Sequence, residues 1–156
     1  MQLTGALTVC ISSVLLGLLL CKEEKKHVAL FEEILFLMRC IRDEIWIRRT
    51  PTEVIFSSLS SPYLENAGFY TALTKEKNFY TASLTCGFTQ NELGLIKDFS
   101  EKIGKSDAEN QKSEFDYIIS KAEEHLKNLH GEMPKRQKLN VTLPVFFGLL
   151  FVVVFF

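Results

Sequence analysis

The apolar residues of this chain are concentrated at its two ends. No Lys, Arg, Asp or Glu occurs from Met1 to Cys21 or from Leu139 to Phe156, and all charges lie between Lys22 and Lys138. A helix needs about 20 apolar residues to cross the hydrocarbon core of a bilayer. The pattern therefore predicts a transmembrane helix over 1–21, a charged domain over 22–138 and a second transmembrane helix over 139–156.

The charged middle carries a helical pattern. His27–Arg48 repeats apolar side chains in steps of three and four residues, and no Gly or Pro separates it from the first apolar end. We therefore expect one helix to continue from the first predicted span into the domain. Similar patterns recur up to Met133, with no alternating strand pattern. The fold class predicted is all-α, a membrane-anchored cytoplasmic bundle of about six helices with a transmembrane helix at each end.

A corner between two helices organises the second half of the domain. It runs from Phe99 to Gln111 and contains Gly104, where a helix is expected to end, and Ser106, where the next is expected to begin. Ser106 and Glu109 have the spacing of a capping box. The corner is predicted to fold the two flanking helices back on each other.

Two further helix starts can be recognised from capping residues. Thr50, Pro51 and Glu53 combine an N-cap, a proline at the first helical position and a capping-box glutamate. Thr89 and Glu92 repeat the capping-box spacing farther along the chain. These signals predict helices that begin at about residues 51 and 90.

Prolines complicate the last helix. Pro134 is expected to interrupt it, since a proline inside a helix costs about 3 kcal/mol and removes a hydrogen bond. Pro144 lies within the second predicted span, where membrane helices tolerate proline.

Basic residues flank both apolar ends on their inner sides. They are Lys22, Lys25, Lys26, Lys135, Arg136 and Lys138. Positive residues remain cytoplasmic, so the domain is predicted to face the cytoplasm and both short tails the other side. A cleaved secretory signal is the alternative, but nothing before Lys22 is charged and Leu20 stands where a small residue is wanted. Cys40 and Cys86 are isolated along the sequence, which fits a reducing compartment.

The sequence contains no recognisable catalytic constellation. It lacks the GxxxxGK[ST] loop of nucleotide-binding proteins, and we expect no enzyme activity, cofactor or metal. His27 has no Cys or His at metal-ligand spacing along the chain, and His125 and His130 lie five residues apart. The net charge of −1 argues against a nucleic-acid partner.

The charged side of the first long helix is the predicted partner interface. Arginine beside tryptophan is typical of interface hot spots, although a plain solvated helix face remains the alternative. The residues are Arg39, Arg42, Asp43, Glu44, Trp46, Arg48 and Arg49.

Several residues stand in a fixed order and at fixed spacings along the chain. They include Thr50, Pro51, Gly104, Asp107 and Gln111. Their order and spacing resemble those of the stage III sporulation protein AB family of endospore-forming bacteria, and the resemblance covers essentially the whole chain. The soluble domain of that family is similar to the cytoplasmic domain of the type II secretion system F family, whose members are membrane platforms.

The resemblance implies a function and a location. It implies a non-enzymatic platform subunit of the channel-like complex between mother cell and forespore, in the mother-cell membrane surrounding the forespore. Its implied partners are a sister cytoplasmic ATPase subunit, other membrane subunits and the lipid bilayer, and self-association is left open. The alternative from a different class is a general membrane-anchored adaptor or regulator that binds another cytoplasmic protein.

Overall fold

The computed structural model describes residues 2–48, 52–58, 60–103 and 108–155, with side chains described at 8, 11–48, 54–58, 60–103 and 112–150. Most of these residues are helical, and there is no strand among them. The elements are α1 (Gln2–Asp43), a π-helical turn (Glu44–Arg48), α2 (Thr52–Ser58), α3 (Pro62–Asn66), α4 (Phe69–Glu76), α5 (Phe79–Ser83), a 3₁₀ turn (Leu84–Cys86), α6 (Gln90–Lys102) and α7 (Ala108–Phe155).

The two terminal helices are long and continuous. α1 runs from the first apolar end into the charged region, which confirms the expected continuation. α7 passes through Pro134 and Pro144, so the interruption predicted at Pro134 was wrong. A proline keeps a helical φ angle and removes a single donor, so the remaining hydrogen bonds can carry the helix on.

The contacts divide the chain into two compact units, residues 27–127 and residues 1–26 with 128–156. Within the part of the chain that the structure describes, no helix meets the length and hydropathy that crossing a membrane requires.

The first unit is a bundle with an aromatic core. Phe69, Phe79, Phe99 and Phe115 come from four successive helices, and neighbouring rings have centroids 5.5, 5.9 and 4.6 Å apart. All four side chains are at most 1% exposed. α1 contributes an apolar face to the same core, with Phe31, Ile34, Leu35, Leu37, Met38 and Ile41 buried. Large rings account for much of the buried apolar area, which is the main favourable term in folding.

Glycines set the boundaries of the short helices in this bundle. Gly68 has φ +79°, in the left-handed region, and separates α3 from α4. The stretch Tyr63–Leu73 is therefore divided between two helices. Thr89 and Glu92 form the predicted capping box at the start of α6. The corner at Gly104 and Ser106 lies outside the described residues, as do Thr50 and Pro51.

The second unit is an antiparallel pair made by the apolar ends of α1 and α7. Ser13 donates a hydrogen bond to the carbonyl oxygen of Pro144. One turn on, Gly17 lies against Asn140, and Cys21 lies 3.7 Å from the carbonyl oxygen of Gln137. Small residues on α1 thus allow close contact with a helix of the same chain.

Candidate partner-binding groove

An open groove lies in the bundle where the end of α1 faces the start of α7. It has a volume of about 440 Å³. We call it the α1–α7 groove, and it is lined by Arg42, Asp43, Trp46, Ile47, Lys112 and Asp116.

The π-helical turn Glu44–Arg48 forms one wall of the groove. It has no buried residue, and it presents Trp46 at 37% exposure and Ile47 at 73% exposure. π-helical turns are rare and occur frequently at functional sites. A large apolar side chain on an otherwise charged surface is likewise a common mark of an interaction site. This wall of the groove therefore combines a rare π-helical turn with two solvent-exposed apolar side chains.

Arg42 is held in place by two carboxylates. Its guanidinium nitrogens lie 2.9 Å from Asp43 and 2.8 Å from Asp116 on α7. Burial by itself would lower the pKa of Arg42, but the hydrogen bonds to Asp43 and Asp116 outweigh it, and the pKa is raised. The groove thus contains a fixed arginine with planar donors.

Lys112 covers the aromatic face of the same wall. Its Nζ lies 4.9 Å from the centroid of the Trp46 ring, a cation–π contact. The groove therefore combines polar and apolar groups: a paired arginine, an indole under an ammonium group, and an exposed isoleucine. Such a surface suits another protein better than a small apolar ligand.

The family of this chain follows from a comparison with models of known protein families. The model described as Stage III sporulation protein AB (spore_III_AB) matches residues 2–156. This chain belongs to the stage III sporulation protein AB family. No curated protein and no solved structure shows a significant match to it.

The groove of this AB-family protein contains part of the predicted interface. Arg42, Asp43 and Trp46 line it. Arg39 instead forms a two-pronged contact with Glu123 on α7, at 3.1 and 2.6 Å. The remaining predicted residues are Glu44 and Arg48, which pair with each other at 2.9 Å, and Arg49, which lies outside the described residues.

Sequence reasoning missed Ile47, Lys112 and Asp116 of the AB-family groove. Lys112 and Asp116 are one turn apart on the last helix, a spacing that places them on one face. That spacing was a usable signal, but the sequence does not reveal which helix they face. Of the family-motif positions, Gln111 is helical with an undescribed side chain, while Thr50, Pro51, Gly104 and Asp107 are outside the described residues.

A second polar cluster of the AB-family bundle lies around Glu92. Its carboxylate is fully buried and lies 3.1 Å from His27 on α1 and 3.4 Å from His125 on α7. It also accepts the backbone N–H of Thr89 at 2.8 Å. His27 and His125 are far apart along the chain, but both approach the same carboxylate.

This cluster connects three helices of the bundle through one buried carboxylate. Burial alone would raise the pKa of Glu92, but the close contact with His27 and the hydrogen bond from Thr89 outweigh it, so the pKa is lowered. Among the described residues, no group of three or more His, Cys, Asp or Glu side chains is arranged to hold a metal ion. Glu92 thus caps α6 and joins it to α1 and α7 as an anion.

Proposed function

We propose that this chain is a non-enzymatic membrane platform subunit of the mother cell–forespore channel complex of endospore formation. In this role it couples a cytoplasmic ATPase to the membrane components. The observation that carries the proposal is membership of the stage III sporulation protein AB family across residues 2–156. The sporulation stage follows from the family, and the platform role is our extension of it.

Membrane attachment is supported by the apolar surface of the paired ends. Large apolar side chains stay exposed on both helices even after they have packed on each other. Those on α1 are Ile11, Val14, Leu15, Leu16, Leu18, Leu19 and Leu20, and those on α7 are Leu139, Leu143, Val145, Phe146, Phe147, Leu149 and Leu150. Leaving such area in water costs about 25 cal/mol per Å², so lipid is the natural environment we assign to it.

The interface with the ATPase is assigned to the α1–α7 groove. Ile47 and Trp46 supply apolar area at its wall, and Arg42 supplies a fixed cation beside them. Aromatic residues and arginine in one place are the usual composition of an interface hot spot. The two carboxylates of the groove, Asp43 and Asp116, are engaged by Arg42, an arrangement suited to docking rather than proton transfer.

The test is recovery of the ATPase with the full-length protein in detergent from sporulating cells. Ile47→Asp places a charge on the groove wall, and Val54→Asp makes the same change at another exposed apolar position, 53% exposed on α2. We expect the wild type and Val54→Asp to retain the ATPase, and Ile47→Asp to lose it together with spore formation.

Two results would contradict the proposal in different ways. Equal recovery of the ATPase with both variants would remove the groove as the interface while leaving the platform role. Failure of the wild-type protein to retain any ATPase, with sporulation intact when the chain is absent, would contradict the platform role itself.

A further inference from the structure

Five exposed lysines lie where the paired helices change from apolar to polar. We call them the basic collar: Lys22, Lys25, Lys26, Lys135 and Lys138. All five belong to the same unit of the chain. They follow directly on the uncovered apolar side chains, which end at Leu20 on α1 and begin at Leu139 on α7.

The five lysines of the collar outnumber the carboxylates around them, Glu23, Glu24 and Glu132. Glu24 and Glu132 are both contacted by Arg136, at 3.9 and 2.7 Å, which leaves the exposed Glu23 against five lysines. Glu24 also accepts a hydrogen bond from the amide of Asn140 at 3.4 Å. In the described part of the chain no collar lysine has a carboxylate within ion-pair distance, whereas Lys75, Lys97 and Lys102 of the bundle all do.

The pairing of the helices brings the two halves of the collar to the same level. Cys21 on α1 contacts Gln137 on α7. Lys22 is the next residue after Cys21, and Lys138 is the next residue after Gln137, so the two lysines lie near the same contact. Lys22 and Lys26 are one turn apart on α1, and Lys135 and Lys138 are one turn apart on α7. The collar is therefore a two-helix surface rather than a run along one segment.

We propose that the basic collar binds the headgroups of anionic phospholipids and selects them over zwitterionic ones. The inference rests on the membrane insertion of the proposed function. With the apolar ends in lipid, the collar is level with the phosphate layer, where exposed lysines gain energy from a negative surface. Orientation requires only an excess of positive residues. Lipid selection requires in addition that these residues be exposed and free of ion pairs, as the collar lysines are within the described part of the chain.

An acidic protein segment is a weaker candidate for the collar. Its binding would require the segment to approach within the headgroup layer, directly beside the uncovered Leu20 and Leu139. A phospholipid places its phosphate at this level and its acyl chains against the apolar side chains at the same time. A single phospholipid molecule can therefore contact both the lysines of the collar and the exposed apolar side chains beside them.

The experiment uses the full-length protein in mixed micelles with equal amounts of phosphatidylglycerol and phosphatidylcholine, followed by native mass spectrometry of the retained lipids. We expect phosphatidylglycerol to be retained about tenfold or more over phosphatidylcholine, and the preference to fall as salt rises. The collar variant carries Lys22→Gln, Lys25→Gln, Lys135→Gln and Lys138→Gln. Its matched control carries Lys75→Gln, Lys97→Gln, Lys121→Gln and Lys127→Gln, four exposed lysines of the bundle.

The collar variant is expected to retain both lipids equally, and the control to keep the preference. Equal retention by the wild type, or an unchanged preference in the collar variant, would overturn the inference. So would chemical cross-linking of collar lysines to an acidic protein in the absence of lipid preference. Flotation with vesicles separates this failure from that of the proposed function: a chain that does not float with any vesicle contradicts both, and one that floats equally with both lipids contradicts only the lipid selection.

Discussion

The carbonyl oxygen of Asn140 lies 2.7 Å from the point where a Cβ atom on Gly17 would stand. Pro144 follows Asn140 by four residues and has no N–H, so this carbonyl lacks its usual donor within α7. The glycine lets α1 approach the carbonyl that the proline exposes. A proline on one helix and a glycine on the other thus form one packing feature.

Gly17→Ala is expected to weaken the helix pair by about 1–3 kcal/mol, because the added methyl group meets backbone atoms rather than a flexible side chain. The measurement is disulfide formation between Cys21 and Gln137→Cys in a chain whose other cysteines are replaced. Gly131→Ala is the control, since a Cβ atom there meets nothing within 4 Å. Unchanged cross-linking in Gly17→Ala would show that the pair does not depend on this contact.

Glu92→Gln is expected to lower the free energy of unfolding at neutral pH by about 1–3 kcal/mol, because it removes the charge that pairs with His27 and His125. Urea unfolding in detergent, followed by circular dichroism, measures the effect. Glu123→Gln, at an exposed pair with Arg39, is the control and should cost less than about 1 kcal/mol.

The free energy of unfolding of the wild type should depend on pH differently from that of Glu92→Gln. The pKa of Glu92 is lowered in the folded state from an ordinary value of 4.5, so its contribution is fully present above 4.5. It is lost as the pH falls through the lowered folded pKa. The stability difference between the wild type and Glu92→Gln should therefore shrink on acidification. A difference that stays constant down to about pH 3 would contradict the assignment of Glu92 as an anion.

Phe99→Ala is expected to destabilise the bundle by about 3–5 kcal/mol, because the ring is fully buried between Phe79 and Phe115. Phe36→Ala removes the same group from α1, where the ring is 56% exposed, and should change stability by less than about 0.5 kcal/mol. Thermal unfolding of both variants compares them directly. Similar losses in both would contradict the aromatic core.

Lys112→Ala is expected to uncover the ring of Trp46 at a cost of about 0.5–1 kcal/mol. Trp46 is the single tryptophan of the chain, so its fluorescence reports on the groove alone. Acrylamide quenching should increase in Lys112→Ala. Lys121→Ala removes a similar contact over Tyr117 and should leave the tryptophan signal unchanged. Identical quenching in the two variants would exclude the Lys112 contact in solution.

Local signals in the sequence predicted local structure well. The uninterrupted period of apolar residues predicted that α1 continues from the apolar end, and the spacing of Thr89 and Glu92 predicted the start of α6. Both depend on residues within a few positions of each other. Gly68 is a poor helix former, but that property alone does not predict its left-handed φ angle, which separates α3 from α4.

Contacts between distant residues could not be predicted in the same way. His125 reaches Glu92 because α7 packs beside α6, and nothing in the spacing of the histidines indicates that. The exposure of Ile47 depends on the π-helical turn, whereas the α-helical period does not distinguish it from its apolar neighbours. The groove therefore emerged only in part from the sequence, through Arg42, Asp43 and Trp46.

The ion pair between Arg39 and Glu123 joins residues 84 positions apart, and its position has a consequence for synthesis. The ribosome makes α1 first, but the rings that pack against the buried Phe31 of α1 come later in the chain, from Phe88 and His125. The apolar face of α1 therefore stays exposed to solvent during synthesis until the later helices have been translated. A chain that terminates before α7 would therefore expose the apolar face of α1 and be prone to aggregation, rather than form a smaller bundle.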